Sequence, residues 1–290
     1  MGIHVPLITP FDEAGRLDAG ALERLAHEVA DGGVAGLVAL GTTAEAAMLD
    51  EAEKAVVRET VGRVCRERGL RYTVGAGGTD TRRAAAELAG LDADAALVSV
   101  PSYVRPSQEG VVAHFEALAR VSAVPLVVYN IPYRTGLPLT ADTVRRVAAI
   151  DGVAGFKHAV GGIDHDTVLL VGEVPLYAGD DVFAPALLAL GARGAIAASA
   201  HLATERWVEE ARFHDAERGH ALARLAAACF AEPNPTVIKA VLHAQGRIPT
   251  PDVRLPLLPA GRPSLETALR ALAASGDTRD RTYALIGETG

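Results

Sequence analysis

Short apolar segments rich in Val, Ile, Leu and Ala recur eight times along this chain, with amphipathic stretches between them. Segments that are apolar on both faces and only a few residues long are typical of parallel strands covered on both sides. The eight predicted strands are Val5–Thr9, Gly36–Leu40, Tyr72–Gly75, Ala95–Val100, Leu126–Asn130, Val153–Lys157, Leu176–Gly179 and Gly194–Ala198.

The stretches between these segments carry apolar residues at i, i+3, i+4 and i+7, which predicts amphipathic helices. The clearest are Ala21–Ala30, Glu51–Arg66 and Val111–Val121. Residues suited to N-capping precede several helices, namely Asp18, Asp50, Ser107 and Thr140.

Eight alternations of strand and helix predict an α/β fold, a closed (β/α)8 TIM barrel, and 290 residues suit that fold. An open doubly wound sheet is the alternative. It usually carries a glycine-rich phosphate loop after its first strand, and Pro6–Phe11 is not such a loop.

Residues after the eighth strand exceed what a minimal barrel needs. Helical patterns cover Glu205–Glu217, Gly219–Ala231, Pro235–Gln245 and Ser264–Ala274. We therefore expect a barrel over residues 1–204, a closing helix with a C-terminal helical subdomain over 205–276, and a polar tail over 277–290.

Composition limits the function classes. The chain is 49% hydrophobic, has a formal net charge of −8 and lacks basic runs interleaved with aromatic residues, so we expect no nucleic-acid partner. Its two cysteines are far apart, without metal-binding spacing, which predicts neither a disulfide framework nor a metal site. Neither a secretion signal nor an apolar run long enough for a bilayer is evident, so we expect a cytoplasmic enzyme with no membrane partner.

Active sites of this fold lie at the C-terminal ends of the barrel strands. Lys157 ends the apolar run that begins at Val153, where desolvation disfavours the charged ammonium. A lysine shifted toward neutrality is a nucleophile that can form an imine with a ketone. The alternative is a lysine that reaches solvent or pairs with an acid such as Asp180.

Two further groups suit this chemistry. Tyr129 ends the neighbouring strand, where its phenol is able to carry a proton, although a strand-end tyrosine is more often a packing residue. Gly41-Thr42-Thr43 follows the second strand, where a tight turn can direct N–H groups and hydroxyls at a carboxylate. An isolated Gly-Thr-Thr is more often an ordinary turn.

Together these residues resemble the dihydrodipicolinate synthase and N-acetylneuraminate lyase family of pyruvate-dependent class I aldolases, most closely its synthase branch. The resemblance covers nearly the whole chain. The segments that carry it are Thr9-Pro10-Phe11, Gly41-Thr42-Thr43-Ala44-Glu45, Pro106-Ser107-Gln108-Glu109-Gly110, Tyr129-Asn130-Ile131-Pro132, Gly155-Phe156-Lys157, Gly179-Asp180-Asp181, and Asn234-Pro235 with Lys239.

The resemblance implies that Lys157 forms a Schiff base with pyruvate, with no metal or organic cofactor, and that a small aldehyde is the second substrate. It implies a proton relay of Thr42, Tyr129 and Tyr103, with Tyr103 reaching the active site of a neighbouring subunit, and therefore a homo-oligomer, dimer or tetramer. Substrate-binding roles are implied for Thr43, Arg134, Gly179 and Ile196.

Arg134 bears on the second substrate, because in the synthase branch an arginine here binds the carboxylate of aspartate semialdehyde. The chain departs from the family pattern at Ala44, His158 and His201. We expect His158 to point away from the cavity as a packing residue, and we consider His201 a candidate contact at the mouth.

Two other functions stay open at this stage. One is an aldolase or dehydratase acting on a 2-keto-3-deoxy sugar acid through the same Schiff base. The other is a catalytically silent barrel with a binding or regulatory role, which borohydride trapping with pyruvate would distinguish from either enzyme.

Overall fold

Eight parallel strands close into a barrel in the computed structural model, which describes residues 2–276. Each strand pairs with its neighbours in sequence, and β1 pairs with β8 to complete the circle. The strands are β1 Gly2–Pro6, β2 Gly36–Ala39, β3 Arg71–Gly75, β4 Ala95–Ser99, β5 Leu126–Asn130, β6 Val153–His158, β7 Leu176–Ala178 and β8 Gly194–Ile196. The predicted (β/α)8 barrel is confirmed.

Twelve α-helices are present within residues 2–276. They are α1 Ala19–Asp31, α2 Glu51–Arg68, α3 Thr81–Leu88, α4 Gln108–Ala119, α5 Pro132–Thr135, α6 Ala141–Ala148, α7 His165–Glu173, α8 Ala184–Ala189, α9 Thr204–Phe213, α10 Ala216–Cys229, α11 Thr236–Ala244 and α12 Arg262–Ala274. None of the helices in this part of the chain is both long and apolar enough to cross a bilayer.

The predicted helix starts are confirmed by their capping hydrogen bonds. The side chains of Asp18, Ser107 and Thr140 each accept a bond from a backbone N–H in the first turn of the helix that follows. Asp50 forms a complete capping box with Glu53 at the start of α2. Each bond satisfies a donor that the helix itself leaves without a partner.

The first strand lies three residues earlier than predicted, at Gly2–Pro6 instead of Val5–Thr9. The apolar run continues beyond Pro6, and the N–H of Leu7 still donates to the carbonyl of Val38 at 3.0 Å, but the residues after it bond to other parts of the chain. The N–H of Ile8 donates to the His201 ring at 3.2 Å, and the hydroxyl of Thr9 donates to the carbonyl of Ala44 at 2.7 Å. Ile8 and Thr9 therefore bond outside the sheet, which an apolar pattern alone does not reveal.

Side chains alternate between two hydrophobic cores along the strands. In β5, Leu126 and Val128 belong to the large core between strands and helices, whereas Val127 and Tyr129 belong to the smaller core inside the barrel. Such alternation follows from the two-residue period of a strand. It determines which residues near each strand end face the barrel mouth.

Four helices follow β8 where the sequence predicts them, α9 to α12. Among these, α10 packs against α8 of the barrel and against α12. The division at residue 204 into a barrel and a helical subdomain stays a prediction, and the predicted tail over 277–290 lies outside the described residues.

Candidate active site

Lys157 lies inside the barrel near the end of β6, directly beside Tyr129 of β5 in the strand register. Its side chain is 6% exposed, and its Nζ lies 4.3 Å from the centroid of the Tyr129 ring. Within the described residues this amine makes no hydrogen bond or ion pair. The expected alternative, pairing with Asp180, is not found, since the Asp180 carboxylate accepts a hydrogen bond from the N–H of Gly161 at 2.6 Å.

The surroundings of Lys157 favour its neutral form. Burial lowers the pKa of Lys157 from 10.5 to about 8, against the opposing influence of the Asp181 and Asp180 carboxylates and with a smaller lowering by Arg134. Desolvation disfavours an ammonium more than the nearby acids favour it. A useful fraction of this amine is therefore uncharged near neutral pH.

Two carboxyl groups that follow β7 lie close enough to Lys157 to influence its charge. Burial raises the pKa of Asp181 to about 6 and also raises that of Asp180. Asp181 accepts hydrogen bonds from the N–H of Ser199 at 2.6 Å and from its hydroxyl at 2.7 Å. Neither acid was predicted as a site residue, although Gly179-Asp180-Asp181 stands at a strand end.

Gly179 gives Lys157 the room it occupies. A Cβ built on Gly179 would lie 2.8 Å from Cγ of Lys157 and 3.0 Å from the carbonyl oxygen of His158. Both distances are below an ordinary van der Waals contact. Ile196 of β8 is buried in the inner core together with Tyr129.

The predicted Gly-Thr-Thr turn is a short 3-10 helix over Thr42–Ala44. Its own hydrogen bonds run from Ala44 N to Gly41 O and from Glu45 N to Thr42 O, so the N–H groups of Thr42 and Thr43 have no acceptor within the turn. Leu40 and Glu45, on either side, adopt left-handed backbone conformations with φ of 55° and 56°. Such conformations are costly for non-glycine residues and occur often at functional sites.

Two contacts tie this turn to the C-terminal helices. The side-chain amide of Asn234 donates to the hydroxyl of Thr43 at 2.9 Å. Lys239 of α11 forms an ion pair with Glu45 at 2.8 Å, and both side chains are fully buried. The second carboxylate oxygen of Glu45 accepts from the backbone N–H of Arg254 at 2.8 Å.

These contacts were not predicted, although the sequence contains a signal for one of them. Lys239 interrupts an apolar helical run from Val237 to Leu242, and a lysine in a fully buried segment requires an acidic partner. The identity of that partner depends on the three-dimensional fold.

Two clefts open at this end of the barrel. One, of about 1280 Å³, is lined by Gly41, Thr42 and Tyr129 among others, and the second, of about 550 Å³, by Asp180 and Asp181 among others. Arg134 and Asn234 line both clefts. Of the residues predicted for the site, Thr42, Tyr129 and Arg134 therefore share the larger cleft.

Arg134 is exposed on α5 and stacks over the ring of Tyr133, with 5.1 Å between the guanidinium carbon and the ring centroid. Its Nε donates to the Tyr133 hydroxyl at 3.0 Å. Within the described residues no carboxylate pairs with Arg134. The guanidinium therefore lines both clefts and is held there by Tyr133 alone among the described residues.

Tyr103 does not join the site of its own chain. It lies in a bend after β4 with a φ of 69° and is 94% exposed. Nearly full exposure of a tyrosine held in a left-handed conformation is unusual for a residue without a partner.

The structure agrees with the expectation for His158 but not with the one for His201. His158 faces the helices, where Nε2 contacts the Thr167 hydroxyl at 3.1 Å, as expected for a packing residue. The candidate role of His201 at the mouth is wrong, because its side chain is fully buried. One ring nitrogen accepts from Ile8 N at 3.2 Å and the other bonds to the carbonyl of Ala198 at 2.7 Å, which leaves neither for a ligand.

Comparison with known proteins adds a family to this geometry. The model of the dihydrodipicolinate synthetase family matches residues 1–274. The 4-hydroxy-tetrahydrodipicolinate synthase 2 of Clostridium acetobutylicum is 36% identical over 272 residues, covering 89% of this chain and 94% of that protein. The 4-hydroxy-tetrahydrodipicolinate synthase of Moorella thermoacetica is 37% identical over 290 residues, covering 94% and 98% respectively.

Solved structures agree. A dihydrodipicolinate synthase from Acinetobacter baumannii, chloride-inhibited and in complex with pyruvate, superposes with a TM-score of 0.87 at 34% identity, covering 95% of this chain and 99% of that chain. A dihydrodipicolinate synthase from Thermotoga maritima superposes with a TM-score of 0.86 at 30% identity, covering 95% and 98%.

Proposed function

This chain belongs to the dihydrodipicolinate synthetase family, and on that premise we propose that it is a lyase-type enzyme that condenses pyruvate with aspartate semialdehyde, as a 4-hydroxy-tetrahydrodipicolinate synthase. The observation that carries the proposal is the buried amine of Lys157, which lies beside the ring of Tyr129 and has no ion-pair partner within residues 2–276. The names of its relatives and the pyruvate complex of the Acinetobacter enzyme support the choice of substrates.

The first step is imine formation. Neutral Nζ of Lys157 attacks the ketone carbon of pyruvate, and the former carbonyl oxygen leaves as water. Loss of a proton from the methyl carbon then gives an enamine, with the protonated imine acting as the electron sink. The reaction as proposed requires no metal or organic cofactor.

Proton transfer is assigned to Tyr129, with Thr42 and Tyr103 completing a relay. Burial raises the pKa of Tyr129, which keeps its phenol protonated and able to donate to the departing oxygen. Tyr103 is exposed and absent from the mouth of its own barrel. In this proposal it enters the site of a second copy, so that a dimer is the smallest complete unit, alone or within a tetramer.

The second substrate approaches through the two clefts. The guanidinium of Arg134 is suited to bind the carboxylate of aspartate semialdehyde as a bidentate partner. The enamine carbon attacks the aldehyde carbon, and the aldehyde oxygen takes a proton from the Tyr129 relay and becomes a hydroxyl group. The amine of the bound semialdehyde then displaces Nζ from the imine carbon, which closes the ring and regenerates Lys157.

Trapping with borohydride tests the Schiff base directly. The full chain is incubated with pyruvate and sodium borohydride, its intact mass is measured, and a digest locates the modification. We expect one reduced pyruvyl group on Lys157 and none in Lys157→Ala. Absence of an adduct in the wild type would overturn the enzymatic proposal and favour a catalytically silent barrel.

The composition of the chain simplifies that assignment, because few lysines compete for the label. The sequence contains three lysines, Lys54, Lys157 and Lys239. Lys54 pairs with Glu51 and Lys239 with Glu45, each at 2.8 Å. Lys54→Ala is therefore the matched control and should label like the wild type. A second assay tests the other substrate. Enzyme that forms the pyruvate adduct is given pyruvate with either aspartate semialdehyde or a sugar-derived aldehyde, and the two turnover rates are compared.

A further inference from the structure

We propose that Asn234 is a positioning residue for the pyruvate carboxylate, acting through Thr43, and that the buried ion pair of Glu45 and Lys239 holds this arrangement in place. The inference rests on the proposed function, in which Thr43 binds that carboxylate. It assigns a role in substrate recognition to the segment that follows α10, outside the barrel strands.

The hydrogen bonds of the Thr43 hydroxyl support the role of Asn234. A threonine hydroxyl has one proton to donate and lone pairs that accept. Asn234 Nδ2 donates to Thr43 Oγ1 at 2.9 Å, and Thr43 is buried. Within the described residues no acceptor takes the proton of this hydroxyl. With one lone pair engaged by the amide, the hydroxyl keeps its proton available for the carboxylate of pyruvate.

The ion pair of Glu45 and Lys239 holds Asn234 and Thr43 in their relative positions. Glu45 follows the Thr42–Ala44 turn directly, whereas Lys239 lies on α11, which begins two residues after Asn234. The 2.8 Å contact between these two side chains is completely buried. Two segments far apart in sequence are thus joined twice, once by charge and once by the amide, which fixes the amide relative to the hydroxyl.

The chemistry explains why an amide suits this position. Asn234 lines both clefts, so an aspartate there would place a negative charge near the incoming carboxylate. It would also accept the proton of Thr43 that the substrate needs. The isosteric change Asn234→Asp therefore removes the donor and redirects the hydroxyl without changing side-chain size.

The experiment measures the pyruvate concentration that gives half-maximal borohydride labelling of Lys157. For Asn234→Asp we expect an increase of tenfold or more, since a hydrogen bond to a charged group is lost and a like charge is added. Acetone, a ketone without a carboxylate, should label both proteins at the same concentration. Gln108→Glu makes the same amide-to-acid change outside the site and should leave pyruvate labelling unchanged.

A second pair of variants guards against a folding defect. Asn234→Ala removes the donor without adding charge, and we expect a smaller increase for pyruvate and none for acetone. Glu45→Gln combined with Lys239→Met removes both buried charges at similar volume, which buried ion pairs often tolerate. We expect this double variant to fold and to need more pyruvate, again with unchanged acetone labelling.

The outcomes distinguish a failure of the proposed function from a failure of the role given to Asn234. If the wild type shows no pyruvate adduct, the proposed function itself fails. If the wild type labels and Asn234→Asp labels at the same pyruvate concentration, the positioning role of Asn234 is overturned. An equal increase for pyruvate and acetone would assign Asn234 a purely structural role, and a double variant that labels like the wild type would overturn the contribution of the ion pair.

Discussion

Replacing Lys157 by methionine should stabilise the protein at neutral pH while abolishing imine formation. Burial lowers the pKa of Lys157 from 10.5 to about 8, so the unfolded chain binds more protons than the folded one between these values. The stability of the wild type therefore increases as the pH rises through this range. At pH 7, keeping the charged lysine buried costs about 3 kcal/mol.

Methionine is unbranched, apolar and of similar length, so it can occupy the space of the lysine without a charge. Unfolding measured at equal protein concentration should show a melting temperature higher by about 5 °C for Lys157→Met at pH 7. At pH 10 the advantage should shrink below about 1 kcal/mol, because the lysine is then mostly neutral in the folded state.

Lys54→Met is the control, because it removes a lysine whose ion pair with Glu51 lies at the surface. Such pairs contribute about 0–1 kcal/mol, so we expect little change and no comparable trend with pH. The reasoning is refuted if Lys157→Met is less stable than the wild type at pH 7, or if its advantage is the same at pH 10.

Three more predictions concern the same site. At low pyruvate concentration, the rate of imine formation should rise about tenfold from pH 7 to pH 9 and then level off, because the neutral fraction of Lys157 does the same. Each reaction is quenched with borohydride at one fixed pH. A rate that still rises at pH 10.5 would mean that burial does not lower the pKa of Lys157. Gly179→Ala should lower the free energy of unfolding by about 1–3 kcal/mol and slow labelling, because the new Cβ meets the lysine side chain; unchanged labelling and stability would show that the side chain has room to move. Tyr103→Phe should keep the wild-type melting temperature and lose turnover. Mixing it with Lys157→Ala subunits should restore part of that turnover, because one site of each mixed dimer combines an intact Lys157 with an intact Tyr103 from the other subunit. No recovery after subunit exchange would contradict the sharing of this tyrosine.

The fold was predictable because its signals are local and repeated. Each apolar segment predicts a strand and each capping residue predicts the start of a helix from the residues next to it. The eight repeats together predict a closed barrel. The first strand was misplaced because the apolar pattern continues through Ile8, whose N–H donates to the ring of His201, a residue distant in sequence, and not to a neighbouring strand. The same contact explains why the candidate role of His201 was wrong, since an unpartnered histidine in sequence gives no sign of a backbone partner.

The candidate site was predictable to the extent that its residues stand at strand ends. Tyr129 and Lys157 are the next-to-last residues of neighbouring strands, so the barrel register places them side by side. Asn234 was beyond such reasoning, because its link to Thr43 joins the mouth to a segment that follows the last strand. The burial of Asp181 likewise depends on packing around β7 and β8 that no local pattern encodes.

The ion pair between Glu45 and Lys239 also limits how far this enzyme can be miniaturised. A chain cut after residue 204 would retain all eight strands but would lose Lys239, leaving the carboxylate of Glu45 inside the protein without its cation. Removing one partner of a buried pair costs about 3–5 kcal/mol, a large share of the 5–15 kcal/mol that typically holds a domain together. The damage would fall on the turn that contains Thr43, so the helical extension cannot be treated as a detachable module.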